Sequence, residues 1–455
     1  MYNYWYHAYT RLGAVRFARA TTNSDIRACL DPTMLAQLDA IGSLSDAETF
    51  TNSFGTHLII GVYLGGRLSI SVTAETSSAT DMESVHATVT AAYRGVGDIS
   101  GTASATASLK TSLSSKSFSA DVVTFGGDAG KAGNITATDA KSFTDWYDSC
   151  TESTVSGLQE AKELWMLAAN DTAQTTLYKY IQLRILKHSI NNPSFFNQST
   201  PCLAGQETKV DVTPPSDYKI VGGGAALTPH DSVTSWLAGS YPVISNSGVI
   251  TGWRAHSHDA EIAADPATQT LTAYAIAIYD PDNLISVRYA SAFGANPGTG
   301  HDTATATLPV GYTLTGGGVS TDCETGSGKF LMSSYPAGPA GNNVWTGDVW
   351  DYQAAATNVS LQVVAIGISV TDVTLTADGS NQTLRDVSHG TAVATSPGPM
   401  IGGGVKVTLS GGGEGNLVRQ TFPSTDRTWA EFNTDAYGSV THADSTAYVM
   451  WLTAS

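Results

Sequence analysis

The feature that most restricts what this chain can fold into is a threefold internal repeat in its second half. Three glycine triplets, Gly222-Gly223-Gly224, Gly316-Gly317-Gly318 and Gly402-Gly403-Gly404, each follow a proline-containing turn. Ser240-Tyr241-Pro242, Ser334-Tyr335-Pro336 and Thr421-Phe422-Pro423 come next, eighteen, eighteen and nineteen residues after the start of their triplets. A Trp with an Asp six residues on then recurs as Trp253 and Asp259, Trp345 and Asp351, and Trp429 and Asp435. Each unit closes on an apolar run, Leu271–Ile278, Leu361–Ile368 or Ser445–Leu452. The units span about 207–280, 302–371 and 390–453, each with about four strand-like stretches between Gly and Pro turns. A single four-stranded sheet cannot bury its apolar face alone, whereas three around a common axis can. The expectation is an all-β, pseudo-threefold module of β-prism type, in preference to a trefoil or a three-bladed propeller.

The paired residues Trp253 and Asp259, Trp345 and Asp351, and Trp429 and Asp435 suit two roles. They could stack and hydrogen-bond a sugar, or they could be a repeated core Trp with an Asp fixing a turn. His256-Ser257-His258-Asp259 resembles a metal cluster, but only its Asp recurs in the sister units, so no metal site is expected. The sequence has no Gly-x-Ser-x-Gly elbow, no His-Glu-x-x-His and no phosphate-binding loop, so no catalytic residue, cofactor or enzymatic activity is expected.

The first half alternates strand-like runs (4–17, 58–73, 120–125) with helical ones (32–41, 156–188). In the last helical run Leu158, Ala161, Leu164, Trp165 and Ala168 recur at helical spacing. A breaker-rich stretch through Asn191-Asn192-Pro193, Pro201 and Pro214-Pro215 puts the domain boundary near residue 205, giving domains 1–205 and 206–455. Residues 1–200 carry 14 Lys and Arg against 18 Asp and Glu, and residues 201–455 carry 9 against 22. That acidity argues against nucleic acid as a partner and against electrostatic attraction to anionic lipid. No stretch approaches the ~20 apolar residues of a spanning helix, and residues 1–20 lack a secretion pattern, so an export signal is expected outside the sequence. Cys29, Cys150, Cys202 and Cys323 allow two disulfides, with Cys150–Cys202 favoured as a clamp on the linker, or four free thiols.

Phe54-Gly55-Thr56-His57 precedes the strand-like Leu58–Tyr63 and then Gly65-Gly66. Further on, Phe125-Gly126-Gly127 is followed by Trp146 and Ser149. These elements, in this order, resemble the hallmarks of the membrane attack complex/perforin (MACPF) superfamily over roughly residues 1–190. Two positions depart from the family pattern: Leu58 and Ala47 stand where aromatics are usual, and Phe50 is placed to replace the latter. The resemblance implies an α+β core with a bent antiparallel sheet. In the family one core strand and one inserting cluster precede the Gly-Thr-His element. Because 53 residues precede Phe54 here, the core is expected to be N-terminally incomplete and, by itself, poorly lytic.

Between these landmarks the residues alternate with period two. Val85, Ala87, Val89, Ala91 and Tyr93 are apolar, as are Ile99, Gly101, Ala103, Ala105, Ala107, Leu109 and Leu113, with Thr111 the exception. From Ser100 to Ser112 every even position is Ser, Thr or Lys, and Arg94-Gly95-Val96-Gly97-Asp98 forms a turn between the two runs. Both runs reach the ~9–11 residues that a membrane-spanning strand needs. A Ser/Thr/Ala-rich surface hairpin is the alternative. The resemblance implies a secreted, soluble monomer that binds a target membrane through a lipid or glycan receptor, forms a homo-oligomeric ring and inserts this segment as a hairpin. The rival from another class is a non-lytic, lectin-like adhesin.

Overall fold

The computed structural model describes residues 2–18, 20–74, 118–135, 140–202, 207–229, 235–259, 269–295, 300–321, 329–337, 343–351, 360–409, 416–435 and 442–455. The alternating segment 85–113, including every residue named in it, lies outside them. The chain divides into two compact units, Met1–Ile181 and Gln182–Ser455. Among the described residues no helix is long and apolar enough to cross a membrane.

The first unit is α+β. Its sheet comprises β1 (Tyr2–Arg16), β2 (His57–Ala74), β3 (Phe118–Gly126) and β4 (Val155–Glu163), with β2 in the middle. β1 pairs antiparallel with β2 along its length, from Tyr2 opposite Ala74 to Arg16 opposite Gly61. Three helices, Asn23–Ala28, Pro32–Asp39 and Leu44–Phe54, link β1 to β2, and their starts are written locally. Thr22 and Ser43 form capping boxes with Asp25 and Asp46, while Asp31 caps the helix that opens on Pro32. These helices bury Leu38, Ala47 and Phe50 against Leu164, Leu167, Ala173 and Leu177. Arg27 donates to both oxygens of Asp39, at 3.0 and 2.6 Å, and this ion pair ties the first helix to the second.

The run expected as a helix over 156–188 is divided. Residues 155–163 form β4, because the first half of β2 offers a free ladder edge that only an extended segment can fill. Leu158 is 56% exposed, so its helical spacing carries no core face. The helix begins only at Asp171, where the Asn170 side chain accepts the Ala173 N–H, and runs to Asn191.

Past the end of that helix at Asn191, the second unit is β. Among the described residues each repeat contains six strands, not four: β5 (Ser194–Pro201), β6 (Glu207–Val212), β7 (Tyr218–Thr228), β8 (Ser235–Ile244), β9 (Ile250–Asp259) and β10 (Thr270–Tyr279) in the first. The second has β11 (Ile285–Phe293), β12 (Asp302–Thr307), β13 (Thr313–Thr321), β14 (Lys329–Pro336), β15 (Val344–Asp351) and β16 (Leu361–Val370). The third has β17 (Leu375–Val387), β18 (His389–Thr395), β19 (Met400–Leu409), β20 (Asn416–Pro423), β21 (Thr428–Asp435) and β22 (Ala443–Ala454). The boundary therefore falls before residue 205, since β5 is already a strand of the module. No repeat owns a sheet. The three six-stranded sheets run β18-β21-β20-β7-β10-β5, β11-β16-β13-β8-β9-β6 and β12-β15-β14-β19-β22-β17. Each repeat gives three strands to one sheet and three to the next, which locks the units together cyclically.

The glycine triplets permit this arrangement. A Cβ on Gly222 would press on the Ile401 carbonyl, one on Gly316 on that of Val221, and one on Gly402 on that of Thr315, so the first glycines meet around the axis. The middle glycines, Gly223, Gly317 and Gly403, lie flat under Trp253, Trp345 and Trp429. The core is continuous through all three repeats, from Val210 to Leu452.

Candidate functional site

Strand β2 changes partner in mid-length. Its first half pairs with β4, from His57 opposite Glu163 to Leu64 opposite Val155. Its second half pairs with β3, from Gly66 opposite Gly126 to Ala74 opposite Phe118. The changeover falls on Gly65-Gly66, alongside Gly126-Gly127 at the end of β3. Gly65, Gly126 and Gly127 have φ of 120°, 80° and 69°, a region closed to most side chains. A Cβ on Gly126 would collide with the Gly65 carbonyl, and one on Gly66 with the Cys150 thiol. One on Gly127 would lie 2.6 Å from the indole nitrogen of Trp146.

That bend is held by one short stretch of chain. The helix Ala140–Tyr147 delivers Trp146, 2% exposed, whose Nε1 donates to the Gly126 carbonyl at 3.1 Å. Ser149 Oγ accepts the Asp128 N–H at 2.8 Å. Thr154 Oγ1 donates to the Gly65 carbonyl at 2.8 Å, and the Gly65 N–H returns to the Thr154 carbonyl at 2.8 Å. Cys150 sits below Gly66, where burial pushes its thiol pKa up. Four hydrogen bonds at ~0.5–1.5 kcal/mol each contribute a few kcal/mol to holding the bend. Gly65, Gly66, Gly126, Gly127 and Trp146, all singled out by sequence, converge here. Cys150 was singled out only as a disulfide partner and Thr154 not at all, because only the fold brings them beside the glycines.

Phe54-Gly55-Thr56-His57 aims β2 at that bend. Gly55, with φ of 79°, closes the preceding helix by donating to the Thr51 carbonyl at 2.8 Å. Phe54 packs on Phe50 with ring centroids 5.1 Å apart. The Thr56 carbonyl accepts the Leu164 N–H at 3.0 Å, and Thr56 Oγ1 lies 2.8 Å from Nδ1 of the exposed His57. The motif is a helix stop and a strand start.

In the module the three Trp are buried core residues. Trp253, Trp345 and Trp429 are 0–1% exposed, and each Nε1 donates to the hydroxyl of the aromatic-Pro motif, Ser240, Ser334 or Thr421, at 3.0–3.1 Å. A buried indole needs such an acceptor, which is why Ser or Thr opens each Tyr/Phe-Pro element. Asp351 accepts the Gly300 N–H at 2.8 Å, while the side chains of Asp259 and Asp435 are outside the described set. His256 is buried with Nε2 2.7 Å from Glu207 Oε1, and burial drives its pKa down to about 3. The favoured Cys150–Cys202 bridge is not formed. Cys150 is a free thiol packed at the bend, and Cys202 Sγ lies 3.9 Å from Ser257 Oγ.

Comparison with known proteins gives a family-model match to the MAC/Perforin domain over residues 13–155. No curated protein matches the chain. Among solved structures, it is similar to GNIP1Aa from Chromobacterium piscinae, with 14% identity and a TM-score of 0.27, covering 65% of this chain and 55% of that one. It is also similar to Astrotactin-2, described as a conserved vertebrate-specific, perforin-like membrane protein involved in neuronal development, with 9% identity and a TM-score of 0.29, covering 67% and 55%. The chain thus spans about half the length of each. Residues 13–155 match the MAC/Perforin domain model, and both the Gly-Thr-His element and the glycine bend lie inside that match.

Proposed function

We propose that this chain acts in membrane perforation. In this reading the MAC/Perforin domain oligomerises and inserts residues 85–113 as an amphipathic hairpin, while the all-β module recognises the target membrane. The observation that carries the reading is the register of β2 and β3. Their ladder runs one-for-one from Gly66 opposite Gly126 to Ala74 opposite Phe118. Carried onward without a slip, it would pair Val85 with Ala107, Ala87 with Ala105, Val89 with Ala103, Ala91 with Gly101 and Tyr93 with Ile99. It would close on Val96, at the centre of the Arg94–Asp98 turn that the alternation marks independently. Apolar positions then oppose apolar ones on a single face, as a strand pair in lipid requires, and ring closure would satisfy the backbone edges. Release of the bend would let β2 and β3 run straight into such a hairpin.

Dye release from vesicles tests this with two adjacent variants. On the apolar face, Ala105→Arg costs ~2–4 kcal/mol per subunit near the bilayer midplane and should abolish release. On the polar face, Ser104→Arg should retain release and alter ion selectivity. Equal release by both variants would remove the hairpin from the account. Binding to receptor-bearing vesicles with no release by the parent chain would fit either an incomplete core or a non-lytic, glycan-binding protein, and ring assembly on those vesicles would separate the two.

A further inference from the structure

The module contains a cleft of about 550 Å³ that the threefold repeat does not require. It is formed where the turn between β6 and β7, the turn between β8 and β9, and the strand β11 come together, and its volume lies within the ~300–1,000 Å³ of small-molecule sites. Tyr218 and Tyr289 line it. Register identifies the sister positions. Tyr289, Phe195 and Gly379 lie opposite Ile366, Ile276 and Met450, each of which faces the first glycine of a triplet. Tyr218 stands four residues before its triplet, where the sisters have Tyr312 and Gly398. The three equivalent corners therefore hold Tyr with Tyr, Tyr with Gly, and Gly with Phe. Two aromatic walls occur at one corner only, and the fold forms the other two without them.

The lining is graded by depth. Pro214, Ile220 and Ile285 are buried at the inner end, with Val287 half-buried beside them. Thr213, Ser216 and Thr251 are exposed at the rim, together with Pro215 and Val249. Lys219 is the charged residue of the lining, its Nζ donating to Asn283 Oδ1 at 2.6 Å, and no carboxylate lines the cleft among the described residues. A sugar would find neither carboxylate nor carboxamide in that lining, and a cation would find no counter-charge. An aliphatic chain would fill the depth, and an anionic end would meet the hydroxyls and the ammonium.

We infer that this cleft binds a single-chain anionic amphiphile, an aliphatic tail ended by a carboxylate or phosphate, as in a fatty acid or a lysophospholipid. The inference deepens the reading of the module as the membrane-recognising part, and it stands apart from pore formation because binding is measured on soluble ligands.

Calorimetric titration of the whole chain with octanoate, decanoate and dodecanoate, all below their micellar concentrations, provides the test. One site per chain is expected, with affinity rising about fourfold per added methylene until the depth is filled. Thr251→Trp, at the exposed rim, should fill the mouth and weaken dodecanoate at least tenfold while the melting temperature is unchanged. Lys219→Gln should remove the preference for decanoate over decanol. Tighter binding of decanoyl-lysophosphatidate than of decanoate would identify lysophospholipid as the source, and the reverse would identify fatty acid. Absence of saturable binding, indifference to chain length, or full binding by Thr251→Trp would each overturn the inference. Loss of vesicle leakage with dodecanoate binding intact would count against the perforation reading alone.

Discussion

Glu431 shows what one residue can change in a repeated fold. Two residues past its tryptophan, the first repeat has Ala255, the second Gly347, and the third this carboxyl, fully buried. Ser445 Oγ and the Ala392 N–H both donate to its Oε1, at 2.8 and 3.0 Å, while its Oε2 has no hydrogen-bond partner. Burial raises its pKa from 4.5 to about 7. The folded module thus holds the proton more tightly than the unfolded chain does. Below about pH 4.5 both states are protonated and nothing is lost. As pH rises from there through 7 the unfolded state ionises first, and stability falls by an amount on the order of 3 kcal/mol. Chemical denaturation of the module at pH 5 and pH 8 should show that difference, and Glu431→Gln should flatten it. At the same scale, Trp146→Ala removes a buried indole and its bond to Gly126, and should lower core stability by about 3–5 kcal/mol in urea titrations.

Among elements, the recurring three-part contact of middle glycine, Trp and hydroxyl is the repeated unit of the module. Trp253→Phe, Trp345→Phe and Trp429→Phe each strand one hydroxyl and remove the same volume, so each should cost about 1–3 kcal/mol, with the three values within ~1 kcal/mol of one another. A single outlier would mean that the repeats are not energetically equivalent. These landmarks were legible in the sequence because few residue types satisfy a backbone crossing beneath an indole. The first strand of each repeat was not. β5, β11 and β17 are sheet edges that carry none of the landmarks and lie outside the spans read from the repeat, which accounts for one of the two strands missed in each. Likewise 155–163 has helical spacing but is a strand, because the unfilled edge of β2 outweighs a weak local preference. The role of the tryptophans was open from composition alone. It is decided by the serine and threonine hydroxyls, whose distance in sequence gives no sign of the contact.

For the whole molecule, what was legible at the bend was its glycines and Trp146, since positive φ and close approach leave few substitutes. Thr154 was hidden because a lone polar residue reads as surface until the glycines are seen beside it, and Cys150 was read as half of a disulfide because its sequence context gives no sign of Gly66. In the perforation reading the β2–β3 ladder continues through residues 85–113 when the chain enters a membrane. A cysteine-free version carrying Ala87→Cys and Ala105→Cys tests that register. Residues directly opposite in an antiparallel pair have Cα atoms about 4.5–5.5 Å apart, within disulfide reach. On leaking vesicles under mild oxidation the 87/105 pair should cross-link within each chain, and an 87/103 pair, two residues out of register, should not. Leakage with cross-linking at 87/103, or at neither pair, would contradict the account.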